Sequence, residues 1–297
     1  MGEKVSLPLL IFVLIIGTLS ISSGAIFVRL IDDVPSLVIA TYRMVFSAVI
    51  TVFIWKIKGA PISAVTKREF NLCILSGFFL AFHFATWIDS LQYTSIANSV
   101  MLVNMNPIFI GIFAYILFRE KQSPALVFSI FAAIVGCFFL TVYDSNFTGF
   151  SGGSDAMTGN LLALAGALGT SFYMLIGSRV MGSMNILTYI LLVYASSAGF
   201  LALFTFFMGY SFTGYATSSY VYLILMALFP QFMGHSAFNW ALKYMKSSIV
   251  AVVKLGEPIG AAILAYFIFA EGVTFGQAFG MFVIFAAILL ALRKREV

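Results

Sequence analysis

Charged side chains are scarce in this sequence. Asp, Glu, Lys and Arg make up 9% of its 297 residues, against about 25% in an ordinary soluble domain. A soluble fold of this length needs polar surface to cover its core, so the shortage argues against one. Lipid-facing helices have no such need. Histidine is limited to two residues and cysteine to two. Cys73 and Cys137 each stand alone in an apolar stretch. No CxxC spacing occurs, so neither a disulfide framework nor a zinc site is suggested. Both thiols are expected in buried packing. Also missing are G-x-x-x-x-G-K-[ST], H-E-x-x-H and G-x-S-x-G. Nothing therefore points to a nucleotide-driven pump, a metalloprotease or a serine hydrolase, and no metal or cofactor is expected.

Apolar residues are abundant. They form 62% of the chain, aromatic residues 16%, and the mean hydropathy is +1.06. Runs of about 20 apolar residues, enough to cross a bilayer, can be drawn ten times. They fall near 8–31, 36–55, 70–91, 95–118, 124–142, 158–178, 186–208, 219–242, 247–269 and 274–292. An outer-membrane barrel would alternate polar and apolar residues in short segments, so helices are predicted throughout. Lys4, an apolar run and Ser22-Ser23-Gly24-Ala25 have the look of a signal peptide. An uncleaved first helix is preferred, because the repeat described next needs it.

The second half re-reads the first at an offset of 151 residues. Tyr93, Pro107, Tyr115, Phe118 and Glu120 match Tyr244, Pro258, Tyr266, Phe269 and Glu271. Arg29 and Arg179 sit at similar points in the first and sixth spans. Five spans per half is an odd number, so the second half enters the membrane from the opposite side, the inverted-repeat architecture of many carriers. The expected units are 1–147 and 148–297, joined by the polar stretch from Asp144 to Thr158. Its Asn146-Phe147-Thr148 is formally a glycosylation triplet and is read as coincidence.

The net charge of +5 is a topology signal rather than a nucleic-acid footprint. With the N-terminus inside, thirteen of the sixteen Lys and Arg residues fall on one side. They are Lys4, Lys56, Lys58, Lys67, Arg68, Arg119, Lys121, Arg179, Lys243, Lys246, Arg293, Lys294 and Arg295. Asp32, Asp33, Asp144 and Asp155 fall on the other. Both termini are therefore expected in the cytoplasm, by the positive-inside bias.

Trp87-Ile-Asp-Ser-Leu-Gln-Tyr-Thr-Ser-Ile-Ala-Asn98, Asn106-Pro107 and Phe118-Arg-Glu120 resemble the first EamA domain of the drug/metabolite transporter superfamily. Asn239-Trp240-Ala-Leu-Lys-Tyr244, Gly256-Glu257-Pro258 and Phe269-Ala-Glu271 resemble the second, and Ser23 to Arg29 with Tyr42-Arg43 resembles the family's opening. The resemblance covers nearly the whole chain. It implies ten helices, internal duplication, cytoplasmic termini and a carrier in the plasma (bacterial inner) membrane. Members of that family move amino acids, nucleotide-like metabolites, sugars and toxic organic compounds, mostly outward, so the resemblance does not fix the cargo; an amino acid or related compound is expected first, then an organic cation or drug.

Ionisable groups within a bilayer cost roughly 2.5–3.5 kcal/mol on insertion scales and usually face a cavity or a partner. Lys254 and Glu257, three apart, share a helical face and can pair; the alternative is that Glu257 holds a cationic group or a proton. Protons are the candidate coupling ion. Gln231, His235 and Asn239 form an i, i+4, i+8 stripe in the eighth span, and His83 and Trp87 stand four apart in the third. Such stripes bond neighbouring helices or line a cavity. Asn104 and Asn106 add polar side chains beside Pro107. Arg43 can snorkel, hold an anionic group of the cargo, or pair with Asp89. Pro107 and Pro258 are expected to bend spans four and nine, as static kinks or as hinges. Glu120 and Glu271 are read as structural, favouring the N-terminal dipole of the helix that follows. The fold class is thus an all-α integral membrane protein. The predicted function is a secondary carrier, and the rival is an intramembrane enzyme acting on a lipid or small apolar substrate.

Overall fold

The computed structural model describes residues 5–58, 65–94, 96–143 and 153–293. Among them are ten helical spans long and apolar enough to cross a bilayer. The first three are α1 (Leu7–Arg29), α2 (Ser36–Lys58) and α3 (Lys67–Ser90). The fourth is split into α4 (Ile96–Val103) and α5 (Asn106–Phe118), and the fifth is α6 (Pro124–Val142). The second half opens with α7 (Gly153–Val180) and α8 (Ile186–Phe207). Its third span runs from α9 (Thr217–Met226) through a π-helical segment, Ala227–His235, into α10 (Ser236–Ala241). A broken span follows, α11 (Ser247–Lys254) and α12 (Glu257–Phe269), and then α13 (Phe275–Arg293). The expected junction at 147/148 and the Asn146 triplet lie outside the described residues.

Packing between the halves obeys a two-fold exchange. Span three packs on span six as span eight packs on span one; span four meets span six as span nine meets span one. Spans two and seven pack on each other, as do five and ten. Local chemistry repeats the exchange. Arg119 and Ala270, which end α5 and α12, take left-handed φ of 57° and 56°.

Spans four and nine are each interrupted by a short turn just ahead of the proline. Helix stops at Asn104-Met105 and at Leu255-Gly256, then restarts with Pro107 or Pro258 in the first turn of the new helix. There the missing proline donor costs nothing. The break frees carbonyls that hydrocarbon cannot satisfy. Ser171 Oγ donates to the Asn106 carbonyl (3.2 Å) and Ser22 Oγ to the Glu257 carbonyl (3.0 Å). In each case the first span of one half supports the broken span of the other.

Small residues allow the closest approaches. Gly256 and Gly260 face Thr18 and Ser22 of α1, while Gly280 of α13 meets Gly136 of α6. Large apolar side chains such as Phe207, Phe267 and Phe275 stand on the outer surface, where hydrocarbon accepts them. Side chains cap two helix starts: Ser123 Oγ accepts from the Leu126 N–H, and Thr274 Oγ1 accepts from the Gln277 N–H.

Asp33, in the turn between α1 and α2, clasps the start of α9. Its carboxylate accepts from the Ala216 N–H (2.7 Å) and the Ser219 hydroxyl (2.5 Å). These bonds, the backbone one first, hold the carboxyl below its ordinary value. A depressed folded-state value means the clasp stabilises above the unfolded pKa and is lost as pH falls through the folded one. Asp33→Asn should therefore lower the unfolding temperature at neutral pH, with the gap to the parent closing in acid. Thermal melts across pH read this directly.

Candidate functional site

Four spans from each half meet at the centre of the bundle, where polar side chains are concentrated. Arg43, at the second turn of α2, is 2% exposed. Its Nε donates to Gln231 Oε1 at 2.9 Å, and its guanidinium lies 4.1 Å from the centre of the Phe84 ring. It neither snorkels nor pairs with Asp89, two of the three readings the sequence left open. Asp89 sits at the far end of α3 and accepts from the Ser36 hydroxyl at the start of α2 (2.7 Å). Arg43 lies seven residues along, about 10 Å deeper.

The π-helical segment explains how the eighth span presents its groups. Pro230 lies inside it, and a widened turn is one way to accommodate a residue that cannot donate to the ladder. Neighbouring side chains satisfy the local carbonyls: Ser47 donates to Ala227 and Tyr194 to Gln231 (3.0 and 3.3 Å). The stripe Gln231–His235–Asn239 consequently fans out. Gln231 faces Arg43, His235 faces the cavity, and Asn239 accepts from the Tyr173 hydroxyl (2.6 Å).

His83 and His235 approach from opposite halves, ring centres 6.5 Å apart. His83 Nδ1 donates to the Gly166 carbonyl (2.8 Å), which leaves Nε2 for another partner. The ring stacks on Trp87, nearly parallel at 5°. A cavity of about 10 Å³, room for about one water, is lined by Arg43, His83, Trp87, His235, Lys254 and Glu257, with Phe84, Val103, Ile21 and Gly24. A second of the same size touches Thr170, Tyr173, Asn239 and Lys254.

Lys254 and Glu257 do not pair as their spacing suggested. Lys254 ends α11 and Glu257 begins α12, so the break between them disrupts their shared helical face. Among the described residues neither side chain makes an ion pair within 4.0 Å. Asn104 and Asn106 lie outside both cavity linings. Asn104 bonds the Val100 carbonyl one turn back, and Asn106 contacts Met174.

Sequence reasoning missed two groups. Glu120 and Glu271 do not address the next helix. Glu271 pairs with Arg29 (2.5 Å) and Glu120 with Arg179 (2.6 Å), each arginine lying over Phe269 or Phe118 respectively. The repeat relates the two pairs; each joins the two halves, one at either rim. The near-equal offsets of Arg29/Arg179 and Glu120/Glu271 were the available signal. Tyr173, Tyr189 and Tyr194, which nothing in the sequence set apart from the other aromatic residues, are fully buried.

At the rim carrying Lys243 and Lys246 a cleft of about 450 Å³ opens, bordered by the Arg179–Glu120 pair. A model of the EamA-like transporter family matches residues 8–142 and 157–293. The chain belongs to the EamA-like transporter family. The uncharacterized transporter YxxF of Bacillus subtilis is 21% identical over 266 residues, covering 89% of this chain and 83% of its own. YetK of the same organism, also an uncharacterized transporter, is 22% identical over 80% of this chain and 72% of its own. An uncharacterized transporter of Archaeoglobus fulgidus is 26% identical over 75% and 68%. One solved crystal structure superposes with a TM-score of 0.81 across 96% of this chain and 97% of its own, at 15% identity. That likeness speaks to the fold. This EamA-like chain is a multi-pass membrane transporter.

Proposed function

We propose that this transporter is a secondary carrier that moves a small metabolite outward across the plasma membrane by alternating access, with both termini in the cytoplasm. The observation that carries the reading is the placement of the buried charges. Arg43, Lys254 and Glu257 surround a small cavity at the junction of the halves, where one broken span contributes two of the three. Intramembrane charges mark transport paths, and carriers place discontinuous helices at their sites.

The cavity is too small for a solute in this arrangement, so cargo enters when the halves part. Each rim then has its own latch, Arg29–Glu271 on one side and Arg179–Glu120 on the other. Exposed ion pairs contribute at most about 1 kcal/mol, weak enough to open and close in a transport cycle. The breaks before Pro107 and Pro258 supply the matching hinges. The basic rim carries Lys58, Lys67, Arg119 and Lys243, which argues for its cytoplasmic placement.

Counterflow in proteoliposomes tests the reading, using a broad panel of labelled metabolites with and without a pH gradient. Label should cross chemically unchanged. Label that emerges modified would indicate an enzyme, and a pH-independent rate would remove the proton as coupling ion. A single cysteine replacing Val103 in the cavity wall reports the latches. Glu271→Gln should speed its labelling from the Asp33 side, and Glu120→Gln from the Lys243 side, each by about two- to fivefold. Equal changes from both sides in either variant would contradict alternating access.

A further inference from the structure

The charges around the central cavity do not balance. Arg43 and Lys254 bring two cations and Glu257 brings one carboxylate. Arg43 is engaged by Gln231 through Nε alone. Among the described residues, its terminal nitrogens and the Lys254 ammonium have no acceptor within hydrogen-bond distance. Burying an uncompensated cation is strongly unfavourable unless something else pairs it. The uncharged donors nearby are also unmatched. Trp87 Nε1, Gln231 Nε2 and Asn239 Nδ2 are buried without acceptors. Each of these three groups offers N–H, and the Thr170 hydroxyl, which lines the second cavity beside Lys254, is unmatched too and can also donate to an acceptor oxygen.

We infer, resting on the carrier reading above, that the cargo bears a carboxylate that is held between Arg43 and Lys254. One carboxylate neutralises the surplus positive charge and supplies two oxygens with about four acceptor sites. A guanidinium beside an ammonium is suited to grip it. A phosphate monoester, carrying about −1.5 to −2, would overshoot the balance. An organic cation would add to a surplus already present, so this site disfavours the cation and drug classes. The cleft at the basic rim agrees in sign. Arg179, Lys243 and Lys246 border it against Glu120, so its field draws anions toward the entrance.

The experiment uses the purified full-length chain in lipid nanodiscs, with thermal unfolding as the binding readout and counterflow in proteoliposomes alongside. The skeletons of alanine, leucine and phenylalanine are each presented in three forms: the acid without its α-amine, the amino acid, and the amine without its α-carboxylate. Carboxylate-bearing forms of at least one skeleton should raise the unfolding temperature, and simple amines should not. Lys254→Met should weaken that binding by about 10- to 100-fold. The same variant removes an unpaired buried cation, so its ligand-free stability should hold or rise. A fall in stability with carboxylate affinity intact would assign Lys254 to folding alone and overturn the inference. So would stabilisation by amines only, or by none of the carboxylates. Carboxylate binding without counterflow would leave the clamp standing and sink the carrier reading. Counterflow of amines alone would do the reverse.

Discussion

Solute counterflow through Arg43→Gln should fall about 100-fold, while the variant still inserts and folds. The magnitude follows from losing hydrogen bonds to a charged group, at about 1.5–3 kcal/mol. Arg43 is the best-anchored charge in the cavity, fixed on one side by Gln231 and below by Phe84. Its remaining donors are aimed at the space where cargo is proposed to sit. Arg43→Lys keeps the charge but loses both the fork and the stacking on Phe84, so it should recover only part of the rate. Initial rates in proteoliposomes, with a thermal melt of each variant, separate the two effects. A folded Arg43→Gln protein with unaltered flux would make the guanidinium a structural group and remove the central site from the mechanism.

The second large effect is on stability. A Cβ at Gly280 would stand 2.6 Å from the Gly136 carbonyl oxygen and 2.7 Å from the Leu140 nitrogen. Both are helix backbone and cannot turn aside as a side chain could. Gly280→Val should therefore force α13 away from α6, at a cost of about 3 kcal/mol or more. Gly199 is the matched control, since a Cβ there meets nothing within 4 Å. Gly199→Ala in α8 should hold stability or raise it by about 0.5–1 kcal/mol. Unfolding in detergent, read by heat or denaturant, compares the pair. Equal melts for the two variants would mean that α6 and α13 are not held at backbone distance.

The ten spans were legible because hydropathy alone reports them, and the repeat because five residues keep register across 151 positions. Local interruptions were harder. Pro107 and Pro258 announced a disturbance, yet whether a helix bends or stops depends on who satisfies the freed carbonyls. Ser171 and Ser22, the residues that do so, are remote in sequence. The π-helical turn around Pro230 was hidden for the same reason. The Lys254–Glu257 pairing failed because helical spacing assumes an unbroken helix. Rim pairs escaped notice since each links a first span to the end of the opposite half's fourth, a contact that only the inverted arrangement creates. His83, Trp87 and His235 were singled out as polar groups in apolar helices, and those do line one cavity. Asn104 and Asn106 satisfied the same criterion but turn elsewhere, Asn104 to the Val100 carbonyl and Asn106 to Met174.

The cross-half packing also bears on how the chain is made. The acceptor that holds Arg43 arrives 188 residues after it, and α1 finds its neighbours only when spans eight and nine have been synthesised. Domains are generally built from the N-terminus as the ribosome advances. Here the earliest segments to enter the lipid are among the last to settle, and a guanidinium waits in the membrane for most of translation. Insertion machinery or transient water must shelter it in that interval.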